Sequence, residues 1–330
     1  MSEVTLKKLA GMLQLSISTV SRALKDHPDI SIETKTKVKE LSVLLDYEPN
    51  TFAINLRSNH CKEFGIIVPT ITNDFYQSFI SSLENEVRQY GYSLIILQSG
   101  DDPIIELANL KLCKQNRMAG IFVSITSKTT DINNFLKLDE HHIPVIFFDK
   151  VPSFEACNKV CVADEAAADM AAKELMLKKK KNILSIFGNP ELLITQKRLK
   201  SFEDTVSGYG LSTQLYIHYA LSSDEAREIT MNSFKKVIKP DAIFCMTDEI
   251  LMGVMKAIQQ LELRTPQDVG VIAISDGFKP TLYYPEITYI ETSGFKLAKL
   301  AFARMLACLG GSSYAQELRI ESIVVSGGSL

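Results

Sequence analysis

Apolar residues recur at helical spacing up to Leu45 and as short unbroken runs beyond it. Leu6, Leu9, Ala10 and Leu13 form one stripe, with Thr5 placed to cap the helix that carries it. After the joint Met12-Leu13-Gln14-Leu15, Ser16 can cap a second helix. Its inner face is Val20, Ala23 and Leu24, and its outer face is Ser18, Ser21 and Arg22 beside Ser16 and Thr19. A third helix begins near Ser31 and packs through Val38, Leu41, Leu44 and Leu45. Three short helices around one small core make a helix-turn-helix plan.

From Phe64 the pattern changes. Apolar runs at 65–68, 93–97, 120–123, 145–148, 159–162, 183–187, 214–219, 242–246, 270–274 and 287–290 read as strands. Amphipathic stretches such as 74–90, 104–116 and 165–177 separate most of them. Continuous apolar strands between helices predict parallel sheets covered on both faces. The length suits two successive α/β units better than one very wide sheet.

Composition bounds the class. The chain has 330 residues, 46% hydrophobic and 23% charged, which is ordinary for a globular protein of two or three units. With neither a run of about 18 apolar residues nor a basic-then-apolar leader, the expectation is a cytosolic protein without membrane contact. The six cysteines are scattered, and the nearest pair, Cys157 and Cys161, has no histidine beside it. They read as thiols in a reducing compartment, with no metal site. The net charge is −3, yet residues 1–25 carry Lys7, Lys8, Arg22 and Lys25 against Glu3 alone. A small basic head on an acidic body fits contact with nucleic acid at one end only.

Two constellations carry chemistry. Hydroxyls and an arginine on the outer face of the second helix suit hydrogen bonds to phosphates and base edges. Past that head, Pro49 breaks the third helix and Asn50 can cap a short further one over Thr51–Arg57, too short to hold without a partner. In the body, ligands of parallel sheets bind beyond the carboxyl ends of strands. Asn73 and Phe75 follow one apolar run, and Asp149, Asp248 and Asp276 follow three others. Arg198 lies early in the helix after Gly188-Asn189-Pro190. Carboxylates, an arginine fork, an amide and a ring together suit a polyol, although each aspartate could equally cap the next helix. No catalytic residues are predicted. Neither a G-x-G-x-x-G nor a G-x-S-x-G motif occurs, and the five histidines show no triad or metal spacing.

The run from Val4 to Ser58 resembles the DNA-binding head of the lactose/galactose repressor family. Thr5, Leu6, Ala10, Ser16, the block Ser18-Thr19-Val20-Ser21-Arg22, Ser31, Thr34, Tyr47, Pro49-Asn50, Ala53 and Leu56 carry the resemblance. The body segments GIIVPTITNDFY, IPVIFFDK, QKRLKSFEDTV, DAIFCMTDEILMGVMKAIQQL and TPQDVGVIAISD are similar to the same family and to its periplasmic sugar-binding relatives. The turn at 12–15 departs from the family, which usually has a small residue or glycine there.

The resemblance implies a helix-turn-helix domain at 1–48, a hinge helix at 49–60 and an effector-binding, dimerising body of two lobes at 61–330. It implies that Ile17, Ser18 and Arg22 read the major groove. Thr5, Ser16, Thr19, Ser21, Lys25, Ser31 and Thr34 would hold the DNA backbone. Asn50, Ala53 and Leu56 belong to the hinge, with Leu56 as a minor-groove wedge. Asn73, Phe75, Asp149, Arg198, Asp248 and Asp276 would line a cleft between the lobes, with Tyr219 or Leu221 near a stacking position. The implied protein is a homodimeric repressor on a pseudo-palindromic operator, controlled by a sugar or related metabolite and needing no cofactor. A solute receptor and a sugar-transforming α/β enzyme are the competing classes.

Overall fold

The structure is a computed structural model and describes residues 4–47, 61–210, 212–312 and 314–330. The chain divides into two compact units, 1–61 and 62–330. The predicted hinge residues Asn50, Ala53 and Leu56 lie outside the described residues.

The first unit holds three helices, Leu6–Met12, Ile17–Leu24 and Ile32–Leu44. Thr5, Ser16 and Ser31 are their N-caps, accepting from the backbone N–H groups of Lys8, Thr19 and Thr34. Leu9, Ala10, Val20, Ala23 and Val38 are buried at the centre, with Leu41 and Leu45 packed around them. Leu44, assigned to the inner face above, is instead exposed, as is Val43. Val38, Leu41 and Leu45 share a face at spacings of three and four, whereas Leu44 is turned about 120° from Val38, at the edge of that stripe in the last turn of the helix. The joint between the first two helices turns at Gln14, whose φ of 52° is left-handed.

The second unit contains twelve strands among its described residues. They are β1 (Glu63–Val68), β2 (Ser93–Gln98), β3 (Gly120–Val123), β4 (Val145–Phe148), β5 (Asn158–Val162), β6 (Asn182–Phe187), β7 (Gln214–Tyr219), β8 (Ala242–Cys245), β9 (Gly270–Ser275), β10 (Thr288–Glu291), β11 (Glu317–Ile320) and β12 (Ile323–Val325). One sheet has the order β11-β5-β4-β3-β1-β2, and the other β12-β10-β9-β8-β6-β7. All pairs are parallel except β10 with β12. Fully buried runs such as Phe64–Val68 and Ala242–Cys245 show helices covering both faces.

The two α/β lobes are not successive, as the sequence pattern suggested. The chain crosses between sheets after Val162, after Glu291 and after Ile320. Helix Gly294–Leu309 returns to pack on helix Asp74–Gln89 of the first lobe, followed by β11 on the first sheet and β12 on the second. Both late strands escape the apolar-run signal because they are short and half exposed.

Candidate functional site

The outer face of helix Ile17–Leu24 is free of the head's core. Ile17, Ser18 and Arg22 are exposed, while Val20 and Ala23 beneath them are buried. Ser16 Oγ accepts from Thr19 N at 3.0 Å and lies 2.7 Å from Ser18 Oγ and 2.8 Å from Thr19 Oγ1. The hydroxyls therefore form one cluster around the helix start. Lys25 is the exposed C-cap and Ser21 is half-buried. Ser31 repeats the arrangement with Thr34, its Oγ 3.2 Å from Thr34 N and 2.9 Å from Thr34 Oγ1. Capping and DNA contact are not exclusive for Thr5, Ser16 and Ser31, since a capped helix start still presents N–H groups outward.

In the second unit, the carboxyl ends of both sheets border a cavity of about 280 Å³. The first lobe lines it with Ile125–Ser127, Thr129, Thr130, Asp149–Ser153 and Cys161. The second lobe adds Asp164, Glu191–Ile194, Gln196 and Lys197. Of the seven predicted effector residues, Asp149 lies in this wall. It follows β4 directly, in a left-handed conformation with φ of 56° that aspartate tolerates better than most side chains. Tyr76 donates its phenol proton to Asp149 Oδ2 at 2.7 Å and sits 2.8 Å from Ser124 Oγ. Burial pushes the Asp149 carboxyl up, against the lowering pull of Tyr76 and Lys150.

Arg198 stands one layer behind the wall. It is 5% exposed, donates Nε to Asp164 Oδ1 at 2.9 Å and Nη1 to Met246 O at 3.2 Å. Asp164 is a candidate site residue that the sequence did not single out. It lines the cavity, and burial raises its carboxyl to about 6 despite the guanidinium beside it. The signal was available: Asp164 follows the apolar run ending at Val162, as Asp149 follows the one ending at Phe148. Tyr76, inside an amphipathic helix, had no comparable signal.

Asp248 and Asp276 form a second cluster. Thr247, not Asp248, caps helix Asp248–Gln260, and Asp248 accepts from the Ser275 hydroxyl at 2.5 Å and Asp276 N at 3.3 Å. Asp276 reaches across the lobes, accepting from Gly294 N at 2.6 Å, and burial raises its carboxyl to about 6. Lys279 pairs with Asp74 across the same junction at 3.5 Å. Asn73 is exposed and caps helix Asp74–Gln89, its Oδ1 2.9 Å from Phe75 N and 3.3 Å from Tyr76 N. Phe75 is half-buried beside Tyr76. Tyr219 is exposed at the end of edge strand β7. Among the described residues there is no cluster of histidine, cysteine and carboxylate side chains able to hold a metal, and no helix long and apolar enough to cross a membrane.

Residues 62–319 match the family described as periplasmic binding proteins and the sugar-binding domain of the LacI family. The chain belongs to the LacI family. The regulator is 27% identical to catabolite control protein A of Priestia megaterium over 98% of this chain and 96% of that protein. It is 25% identical to the ribose operon repressor of Bacillus subtilis, over 92% and 91%. Its fold matches that of the lac repressor dimer bound to operator and an anti-inducer, with a TM-score of 0.88, 19% identity and 99% of each chain covered.

Proposed function

We propose that this regulator represses transcription as a homodimer on a pseudo-palindromic operator, and that a polyhydroxylated metabolite held in the interlobe cavity controls it. The sidedness of helix Ile17–Leu24 carries the reading. Its exposed Ile17, Ser18 and Arg22 have no part in the core that Val20 and Ala23 fill. Arg22 is the residue suited to a bidentate contact with guanine O6 and N7. Thr5, Ser16, Thr19, Ser21, Lys25, Ser31 and Thr34 supply backbone contacts, and the hinge residues Asn50, Ala53 and Leu56 complete the DNA footprint. Asp149 and Asp164, with Arg198 behind them, form the floor of the effector site. Asn73, Phe75, Tyr219, Asp248 and Asp276 stand around the cleft. The protein binds its effector without converting it and acts in the cytosol.

The test is selection of duplexes from a random pool, followed by titration of the enriched site. A two-fold symmetric site is expected. Arg22→Ala should weaken its binding by about 1–3 kcal/mol, relaxing selectivity at one base position in each half-site. The sugar-induced rise in melting temperature should remain unchanged. Enrichment of no symmetric site would overturn the reading.

A further inference from the structure

Behind the first-lobe wall of the cavity lie two carboxylates that do not themselves line it. Glu106, on helix Pro103–Gln115, is 2% exposed. It accepts from Thr126 N at 2.7 Å and from the Thr129 hydroxyl at 2.6 Å. Thr126 Oγ1 and Thr129 Oγ1 are 2.7 Å apart. Since the Thr129 proton is committed to Glu106, the Thr126 proton goes to Thr129, and both protons run toward the buried carboxylate. Asp101, at a left-handed φ of 59°, accepts from Ser127 N at 2.9 Å and from the Ser127 hydroxyl. Its other neighbour is Lys150 Nζ at 3.6 Å. Burial works to raise the Asp101 carboxyl, but the Ser127 bonds and Lys150 hold it below the usual range.

Ser127 and Thr129 are both in the cavity wall and both partly exposed. A hydroxyl has one proton and two lone pairs. With each proton directed backward to a carboxylate, what remains for the cavity is oxygen lone pairs. We infer that Asp101 and Glu106 are positioning residues for the effector, fixing Ser127 and Thr129 as acceptors so that this wall selects a ligand presenting hydroxyl donors and rejects phosphate or carboxylate oxygens there. This rests on the reading of the cavity as the effector site. It adds a polarity that the lining residues alone do not reveal, since serine and threonine can face a ligand either way.

Isosteric amides test it, because they keep the backbone bond and invert the other. In Glu106→Gln the amide oxygen still accepts from Thr126 N, while its NH₂ donates to Thr129 and frees that hydroxyl proton for the cavity. Asp101→Asn does the same to Ser127. The probes are D-ribose, D-xylose, D-glucose and D-galactose, with their monodeoxy-monofluoro analogues, in which fluorine cannot donate. Binding is read by calorimetry on the full chain, and operator affinity without sugar reports folding. At least one sugar is expected to bind the wild type. Glu106→Gln or Asp101→Asn should weaken that sugar about tenfold, while at least one fluoro analogue loses less or gains, with operator affinity unchanged. Sugar affinities within twofold of wild type, or equal losses for sugar and every fluoro analogue, would overturn the inference and leave the function intact. Binding of none of the four sugars by the wild type would overturn the polyol reading and the inference with it.

Discussion

At Asp164 and Asp276, burial outweighs the partners that favour the charged carboxylate, and both titrate near 6. The native state thus binds protons between about pH 4 and 6 that the unfolded chain releases. Stability falls as pH rises through that window. His218, lowered by burial and by Lys236, works the other way through its own titration. Asp149, Asp248, Glu106 and Asp139, whose carboxyls burial also raises, act in the same direction, so against one partly exposed imidazole the balance is a net gain in stability on acidification from pH 7 to 5. Chemical denaturation of the body at the two pH values checks this. Asp276→Asn keeps an oxygen for Gly294 N but cannot titrate, so it should remove part of the slope. An unchanged slope would mean that Asp276 is not the titrating group. Position in the sequence revealed Asp276 as a polar group after an apolar run, while Asp164, which follows another such run, was passed over. It did not reveal that Asp276 spends its carboxylate on the start of a helix, because that contact joins residues 18 apart across a lobe boundary.

The short helices of the head hold together through shared burial, since none is long enough to be stable alone. Leu9 is fully buried among Ala10, Val20, Ala23 and Val38. Leu9→Ala should cost about 2–5 kcal/mol. In a core this small, that is enough to abolish operator binding while the melting of the body, a separate compact unit, stays where it was. Loss of the body transition as well would show the units to be coupled. The helix starts were legible as Thr5, Ser16 and Ser31, because capping is a local matter of side chain and nearby N–H. The face of Leu44 was not, since a helix end can be assigned apolar residues that its last turn points outward. Strands with uninterrupted apolar runs were equally plain, whereas the half-exposed edge strands β11 and β12 lacked that mark.

The whole second unit depends on a chain that returns. Helix Gly294–Leu309 packs on Asp74–Gln89 while its first N–H is held by Asp276 of the other lobe. Gly294 is where these contacts meet. A Cβ there would lie 2.5 Å from Ser78 Oγ, closer still to the Phe75 carbonyl, and 3.1 Å from Phe79 N. Backbone atoms cannot swing aside, so Gly294→Ala should cost about 1–3 kcal/mol. Because the strain falls at the lobe junction, sugar affinity should change along with stability. A fall in melting temperature with sugar affinity unaltered would place Gly294 in packing only.

Local rules sufficed for the head, the alternation of strand and helix, and the aspartates that end apolar runs, because periodicity, capping and strand ends are properties of neighbouring residues. Family membership was legible for the same reason, in contiguous blocks such as Ser18–Arg22 and Val269–Asp276. Folding in three dimensions decided which of those aspartates share a cavity, that Asp164 and Tyr76 join Asp149, and that the lobes interleave. The Tyr76–Asp149 and Arg198–Asp164 bonds that build this wall link residues 73 and 34 positions apart. Which such pairs meet is set by sheet order and packing, and no local pattern encodes it.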